Sequence, residues 1–332
     1  MLKTLHLNLF PHFGIPRSTL PKDAPDPLIS VRGASIQHYR EGSDYAIAQA
    51  FDARDCYLYS YDIALQENLR IPVDATMADL HACYLLRADQ AVTFCGNTGE
   101  ILTTLSPERA RYLYLPKGQY QLHLAPGSYC FFGFYFDGGL FRDGNERPFG
   151  FLHEAIEAYR INLPQPVTSI DFPAGARTLN QIIRFCGRIK KGDIKNEKFV
   201  LTELIRLFLL AKEKVFDEYE RTSDPELLIQ RCRKLLAEYI ADQGNTTRIK
   251  DIALQLNVRP EYLSRLHQQY YQQKLNDYRD GLVMEKICGL LKEHYTLLEI
   301  SVLCGFPGAS ELNRFFKRKT GMTPARYRRL HK

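Results

Sequence analysis

The sequence predicts an α+β multidomain chain: an antiparallel β-sandwich with helices following it, then an all-helical C-terminal domain. Three observations lead there. Up to about Asp143 the chain consists of short stretches rich in Tyr, Phe and Leu, punctuated by Pro and Gly. After Pro148 the apolar period becomes helical. Charge divides along the same line: Glu226–Lys332 holds 19 Lys+Arg against 11 Asp+Glu, whereas the remainder holds 25 against 27, so the net charge of +6 is carried by the last third. A length of 332 residues is comfortable for more than one domain. The expected divisions are residues 1–145 (β-rich), 146–222 (helical) and 223–332 (helical and basic).

In the β-rich part, Cys56–Leu65, Arg111–Leu115, Gln119–Leu124 and Tyr129–Phe136 read as strands, separated by turn signals such as Pro116-Lys117-Gly118 and Pro126-Gly127. Phe151–Tyr159 and Thr178–Ile189 read as short amphipathic helices. Asn196–Tyr219 is the strongest helix of the middle region. Its apolar stripe, with Leu201, Leu204, Leu207 and Phe208 at the centre, is broader than one surface helix needs. Two readings stay open: the stripe packs on the β-domain, or it pairs with a second copy as a homodimer seam.

Asp224-Pro225 opens the C-terminal domain, with Asp as N-cap and Pro at the first helical position. An internal repeat of about 48 residues follows. Ile252, Asn257, Val258 and Leu263 in one copy correspond to Ile300, Gly305, Phe306 and Leu312 in the other. Each copy reads as helix, turn and helix, with a residue tolerant of positive φ in the turn. Between them Leu275–His294 forms one apolar stripe, and Thr296-Leu297-Leu298-Glu299 is a capping box that starts the second unit. Beyond Glu311 there are eight basic residues, Lys332 the last, and no acid, the electrostatic footprint of a polyanion binder.

Several classes are excluded or disfavoured. No run approaches the 18 apolar residues of a membrane span, and the first residues lack the features of a signal peptide. The eight cysteines stand singly with no CxxC pair, which points to reduced, packed thiols and a cytoplasmic location. No GxSxG, P-loop, HExxH or dinucleotide-binding glycine pattern occurs, so no enzyme activity and no cofactor are expected. His38, His81 and His123 are isolated, and no metal site is expected.

The run Ile300-Ser301-Val302-Leu303-Cys304-Gly305-Phe306, then Ser310-Glu311-Leu312-Asn313-Arg314-Phe315-Phe316-Lys317, then Gly321-Met322-Thr323-Pro324-Ala325-Arg326-Tyr327-Arg328 resembles the AraC/XylS signature over nearly thirty residues. The resemblance covers about Glu226–Lys332. It implies a double helix-turn-helix that binds double-stranded DNA in 223–332, a cupin-like sensor domain in 1–145, and dimerisation through 146–222, with Leu201, Leu204, Leu207 and Phe208 the candidate seam. It further implies a transcription activator that responds to a small-molecule effector and works with RNA polymerase. The alternative is a constitutive or protein-regulated DNA-binding factor whose N-terminal domain only dimerises or binds a partner.

Residue by residue, the resemblance puts Glu261, Ser264 and Arg265 on the first recognition helix and Ala309, Ser310, Asn313 and Arg314 on the second. Lys317, Arg318 and Arg328 are expected on phosphates. Asn suits adenine and Arg guanine, while phosphate contacts position without specifying. The first unit departs from the pattern: His267 stands in place of an aromatic core residue, and Gln272 in place of a glycine. For the effector, Tyr57, Tyr59, His81, Tyr84, Tyr120 and His123 are the candidate pocket residues, each equally at home in a sandwich core.

Overall fold

Alternating stretches in the first part of the chain become β1 (Leu5–Leu7), β2 (Ser35–Glu41), β3 (Asp44–Asp52), β4 (Cys56–Leu65), β5 (Leu69–Ala75) and β6 (Asp79–Ala88). They are followed by β7 (Val92–Gly96), β8 (Ile101–Leu105), β9 (Arg109–Leu115), β10 (Gly118–Leu124) and β11 (Gly127–Phe136). A single-turn helix α1 (Phe10–Phe13) lies between the first two strands. The computed structural model describes residues 3–21, 24–54, 56–136 and 138–330, so Lys332 lies outside the described residues. The chain divides into two compact units, Met1–Val215 and Phe216–Lys332.

In the first unit two antiparallel sheets face each other. One has the order β1-β5-β10-β7-β8; the other runs β9-β6-β11-β4-β3-β2. The strand period of two decides which residues meet between them. Ile71 and Val73 from β5 and Tyr120 and Leu124 from β10 share a core with Tyr59, Tyr61 and Ile63 of β4, Leu113 and Leu115 of β9, and Tyr135 of β11. This is the antiparallel sandwich that the sequence predicts. Two strands lie in the region read as helical: β12 (Val167–Thr168) and β13 (Phe172–Pro173) pair with β9. At two residues each they are too short to carry a period.

Helices α2 (His153–Arg160), α3 (Ala176–Arg188) and α4 (Lys195–Thr222) follow, and the division between the units falls within α4. Strand β11 is buried on both faces, because Phe132, Phe134 and Phe136 alternate with the residues of the intersheet core. Phe208 of α4 packs against that second face, its ring 5.9 Å from Phe134, 5.0 Å from Phe136 and 5.5 Å from Tyr112. This corrects the candidate dimer seam. Leu204, Leu207 and Phe208 are each 1% exposed inside their own unit, and Leu201 is half-buried. The stripe is broad because it covers an aromatic sheet face. The exposed apolar residues of α4 are instead Ile205 and Leu209.

The second unit contains α5 (Pro225–Gln243), α6 (Ile249–Gln255), α7 (Pro260–Tyr271), α8 (Leu275–Leu291), α9 (Leu297–Leu303), α10 (Ala309–Thr320) and α11 (Pro324–Leu330). Asp224 caps α5 by accepting from the N–H groups of Glu226 and Leu227, as the sequence predicts. Two small cores form. Leu228, Cys232 and Leu236 of α5 join Ile252, Val258 and Leu263 in the first, and Val283, Ile287, Ile300, Phe306, Leu312 and Phe316 build the second. Ile240, one turn beyond Leu236 on α5, belongs to the second core, so α5 serves both. There Gly244 (φ +62) and Gly305 (φ +67) lock together: a Cβ on Gly244 would stand 2.3 Å from the carbonyl oxygen of Cys304, and one on Gly305 2.3 Å from that of Gln243. Only glycine permits that approach in that backbone conformation.

Candidate DNA-binding surface and ligand cavity

The two repeats close their turns with the same hydrogen bonds. Asn257 and Gly305 both take positive φ; Val258 N–H donates to the carbonyl of Ala253 (3.0 Å) and Phe306 N–H to that of Ser301 (2.8 Å). Together with the bonds from Asn257 to Leu254 and from Gly305 to Val302, these are the paired bonds of a Schellman ending. Each turn therefore launches its second helix at a fixed angle. The capping box at Thr296 is formed in both directions, and the bonds from Thr296 hold the Glu299 carboxyl below its ordinary range.

On α10, Ser310, Arg314 and Lys317 are exposed and Asn313 is half-buried, a spacing that puts the four on one face. Arg314 pairs with Glu311 at 3.0 Å, a contact at the surface that a stronger partner can displace. Ala309 opens the helix beside Gly308, and Arg318 stands 5.5 Å over the ring of Phe315. On α7 the matching face carries exposed Glu261 and Arg265 and half-buried Ser264, whose hydroxyl donates to the carbonyl of Pro260. Gln268 occupies the position equivalent to Lys317 and is exposed; the repeat pattern itself would have found it.

Arg328 is placed differently from its neighbours. Its Nε donates to the carbonyl of Leu291 at 3.1 Å and a terminal nitrogen to that of Tyr295 at 2.6 Å, which satisfies carbonyls at and beyond the end of α8. Arg279 and Lys286 do similar service for the carbonyls of Asn245 and Thr247 and of Ile240 and Ala241. A share of the basic surplus is thus structural.

The departures in the first unit have partners of their own. Gln272 takes the left-handed conformation (φ 52, ψ 24) of the missing glycine. His267 is fully buried. Its Nδ1 lies 2.7 Å from the carbonyl oxygen of Gln273 and its Nε2 3.0 Å from Arg233. A carbonyl can only accept and a guanidinium only donate, so the imidazole is neutral with its proton on Nδ1. Burial lowers its pKa, with Arg233 adding to the effect. Arg233 in turn stacks on Tyr271 (4.1 Å) and Tyr278 (3.8 Å).

In the first unit a small apolar cavity of about 90 Å³ lies between the sheets, lined by Leu5, Tyr59, Val73, Leu113 and Phe131. Arg111 enters its wall. The alternation of β9 sets Arg111 on the same face as Leu113 and Leu115, and its Nε has no hydrogen-bond partner among the described residues. Its other nitrogens reach Thr103 and Thr168, with Asp171 at 3.5 Å. An open cleft of about 700 Å³ shares Leu7 and Tyr61 with the cavity and carries Lys3, His6, Gln37 and Lys117. Burial lowers the Lys3 ammonium pKa.

Of the six effector candidates, only Tyr59 lines either space. Tyr84 is on the opposite face of the sheet, against Tyr112 and Phe172. Tyr57 stacks on Tyr135, and Tyr120 on Phe94 with its hydroxyl on the Pro116 carbonyl. His123 meets Gln121, and His81 is fully buried with neither ring nitrogen bonded among the described residues. The charge of Arg111, on the strand face that carries Leu113 and Leu115, is the signal that the sequence holds for this cavity. Among the described residues no group of three or more His, Cys, Asp or Glu is placed to hold a metal ion, and no helix is long and apolar enough to cross a membrane.

Residues 252–330 match the family model described as a helix-turn-helix domain. A curated relative, the uncharacterized HTH-type transcriptional regulator YpdC of Escherichia coli, is 32% identical over 79 residues. That match takes in 24% of this chain and spans 28% of the relative's length. The C-terminal domain of AraT, a response regulator from Geobacillus stearothermophilus, aligns at 26% identity and a TM-score of 0.29, over 31% of this chain and 84% of that one. Apo ToxT from Vibrio cholerae aligns at 11% identity and a TM-score of 0.30, over 83% of this chain and 98% of that one. The family model, the curated relative and the thirty-residue signature on formed turns agree on the C-terminal domain alone: residues 252–330 are a helix-turn-helix domain of the AraC type.

Proposed function

We propose that the chain is a cytoplasmic transcription regulator that reads double-stranded DNA with α7 and α10 and answers to a small molecule held in its N-terminal unit. The observation that carries the DNA reading is the outward face of α10, where Ser310, Asn313, Arg314 and Lys317 stand together beyond an intact turn. Asn313 and Arg314 suit base edges, and Lys317 and Arg318 suit phosphates. Glu261, Ser264 and Arg265 form the corresponding face of α7. Arg328 is reassigned to holding the end of α8. Activation through RNA polymerase, by a homodimer, is the mode that the family resemblance supports.

The cleft and the cavity behind it favour sensing over the constitutive alternative, since polar groups converge at a mouth with apolar space beyond. Such a ligand would place a polar group toward the unpartnered Nε of Arg111 or the Lys3–Lys117 mouth. Selection of duplexes from a random pool with the full chain, followed by titration in the presence of extracts fractionated by polarity, tests both halves. Affinity that no fraction alters would leave the constitutive reading; failure to enrich any sequence would end the DNA reading.

A further inference from the structure

The amino end of α7 has no cap of its own. Arg259 occupies the N-cap position without a side-chain capping bond, and Pro260 follows it. The last turns of α4 supply the missing partner. Glu220 accepts the Arg259 backbone N–H on one carboxylate oxygen (2.9 Å) and the guanidinium on the other (3.0 Å). Asp217 takes another guanidinium nitrogen at 2.7 Å, and the Tyr262 hydroxyl donates to the Glu220 carbonyl at 3.0 Å. These bonds raise the Arg259 pKa, that to Asp217 first. Two carboxylates beside a helix amino end are also placed as the helix dipole prefers. Gly308, the N-cap of α10, has no side-chain capping bond among the described residues.

From this asymmetry we infer that Glu220, assisted by Asp217, is a positioning residue for the first recognition helix. Acting through Arg259, it fixes where Glu261, Ser264 and Arg265 lie, and so it sets base preference in one half-site only. The inference rests on α7 being a DNA reader as proposed above. The charge of Arg259 is thereby met by two acids rather than offered to phosphate.

The test uses the full chain and the duplex that it selects from a random pool. Glu220→Gln keeps the size and removes the charge, and is expected to weaken binding to that duplex roughly tenfold, the scale of one charge-assisted bond. Base preference should flatten only in the half-site under the first unit. The conservative Glu220→Asp, which keeps a carboxylate to accept from Arg259, should hold binding to within a few-fold of the wild type, which a generally loosened fold would not. The opposite result, tighter binding of Glu220→Gln to random DNA through a freed Arg259, would overturn the inference, as would wild-type preference in both half-sites. If the wild type specifies only one half-site, the reading of α7 as a base reader fails. Amide exchange over Arg259–Leu263 still decides the positioning: on the order of tenfold faster exchange in Glu220→Gln supports it, and an unchanged rate overturns it.

Discussion

Truncating Phe208 to alanine separates two roles for the α4 stripe. The side chain is 1% exposed, and five other rings, those of Tyr112, Phe134, Phe136, Phe141 and Phe149, have centroids between 5.0 and 6.1 Å from its own. Three of those neighbours are fixed on strands of the large sheet and cannot close a void of ring size. Removal of a buried Phe costs about 3–5 kcal/mol, and a site that cannot collapse belongs at the upper end. With a urea dependence of about 3 kcal/mol per molar, the midpoint of the N-terminal unit should fall by on the order of 1.5 M. Tyrosine fluorescence and circular dichroism on the full chain would follow it, with sedimentation velocity recording association. The argument fails if Phe208→Ala unfolds at the wild-type urea concentration and instead converts dimers to monomers, for then the ring faces a second chain.

Asn313→Ala or Arg314→Ala should cost about 1–3 kcal/mol on the selected duplex and little on random DNA, while Lys317→Ala should weaken both alike; equal losses on random DNA for Asn313→Ala would remove it as a base reader. His81 is neutral in the fold, its pKa lowered by burial to about 3 from an ordinary 6.5. The unfolded chain therefore takes up this proton as pH falls below 6.5 and the folded chain does not, so stability is lost on acidification at about 1.4 kcal/mol per pH unit and is flat above. Relative to His81→Leu, the wild type should lose urea midpoint accordingly from pH 7 to 5, and a difference between the two that is independent of pH would refute it. Gly305→Ala should lower the melting temperature of the C-terminal unit by several degrees, since its methyl group meets the Gln243 carbonyl; a wild-type melt would mean that the two turns part easily.

Much of this molecule was legible as pattern. Strands β4, β9, β10 and β11 fall within a few residues of their predicted bounds, because each alternates over at least five residues. The turns at Asn257 and Gly305 could be read because positive φ demands particular side chains, and Thr296–Glu299 because its cap is local. What sequence could not reveal were contacts between distant residues. Nothing near Phe208 says that an aromatic sheet face covers it. Nor does the tail of α11 say that Arg328 turns back to the end of α8 while Arg326 does not. Five of the six pocket candidates lie apart from the cavity and the cleft for a related reason: tyrosines are abundant on both faces of the large sheet, so counting them cannot tell cavity from core.

The interlocked glycines fix more than a fold. With α5 shared by both cores and Gly244 seated against Gly305, α7 and α10 are tied into one unit, and if they read DNA as proposed, the spacing they demand is a property of that unit. An operator lengthened by one base pair between half-sites turns one of them by roughly 35° about the duplex, since a full turn takes 10–10.5 base pairs. The shared α5 and the close glycine contact resist following that turn, so the duplex must untwist or one half-site must be given up. Operators for this chain should therefore tolerate substitutions between the half-sites far better than a single insertion or deletion there.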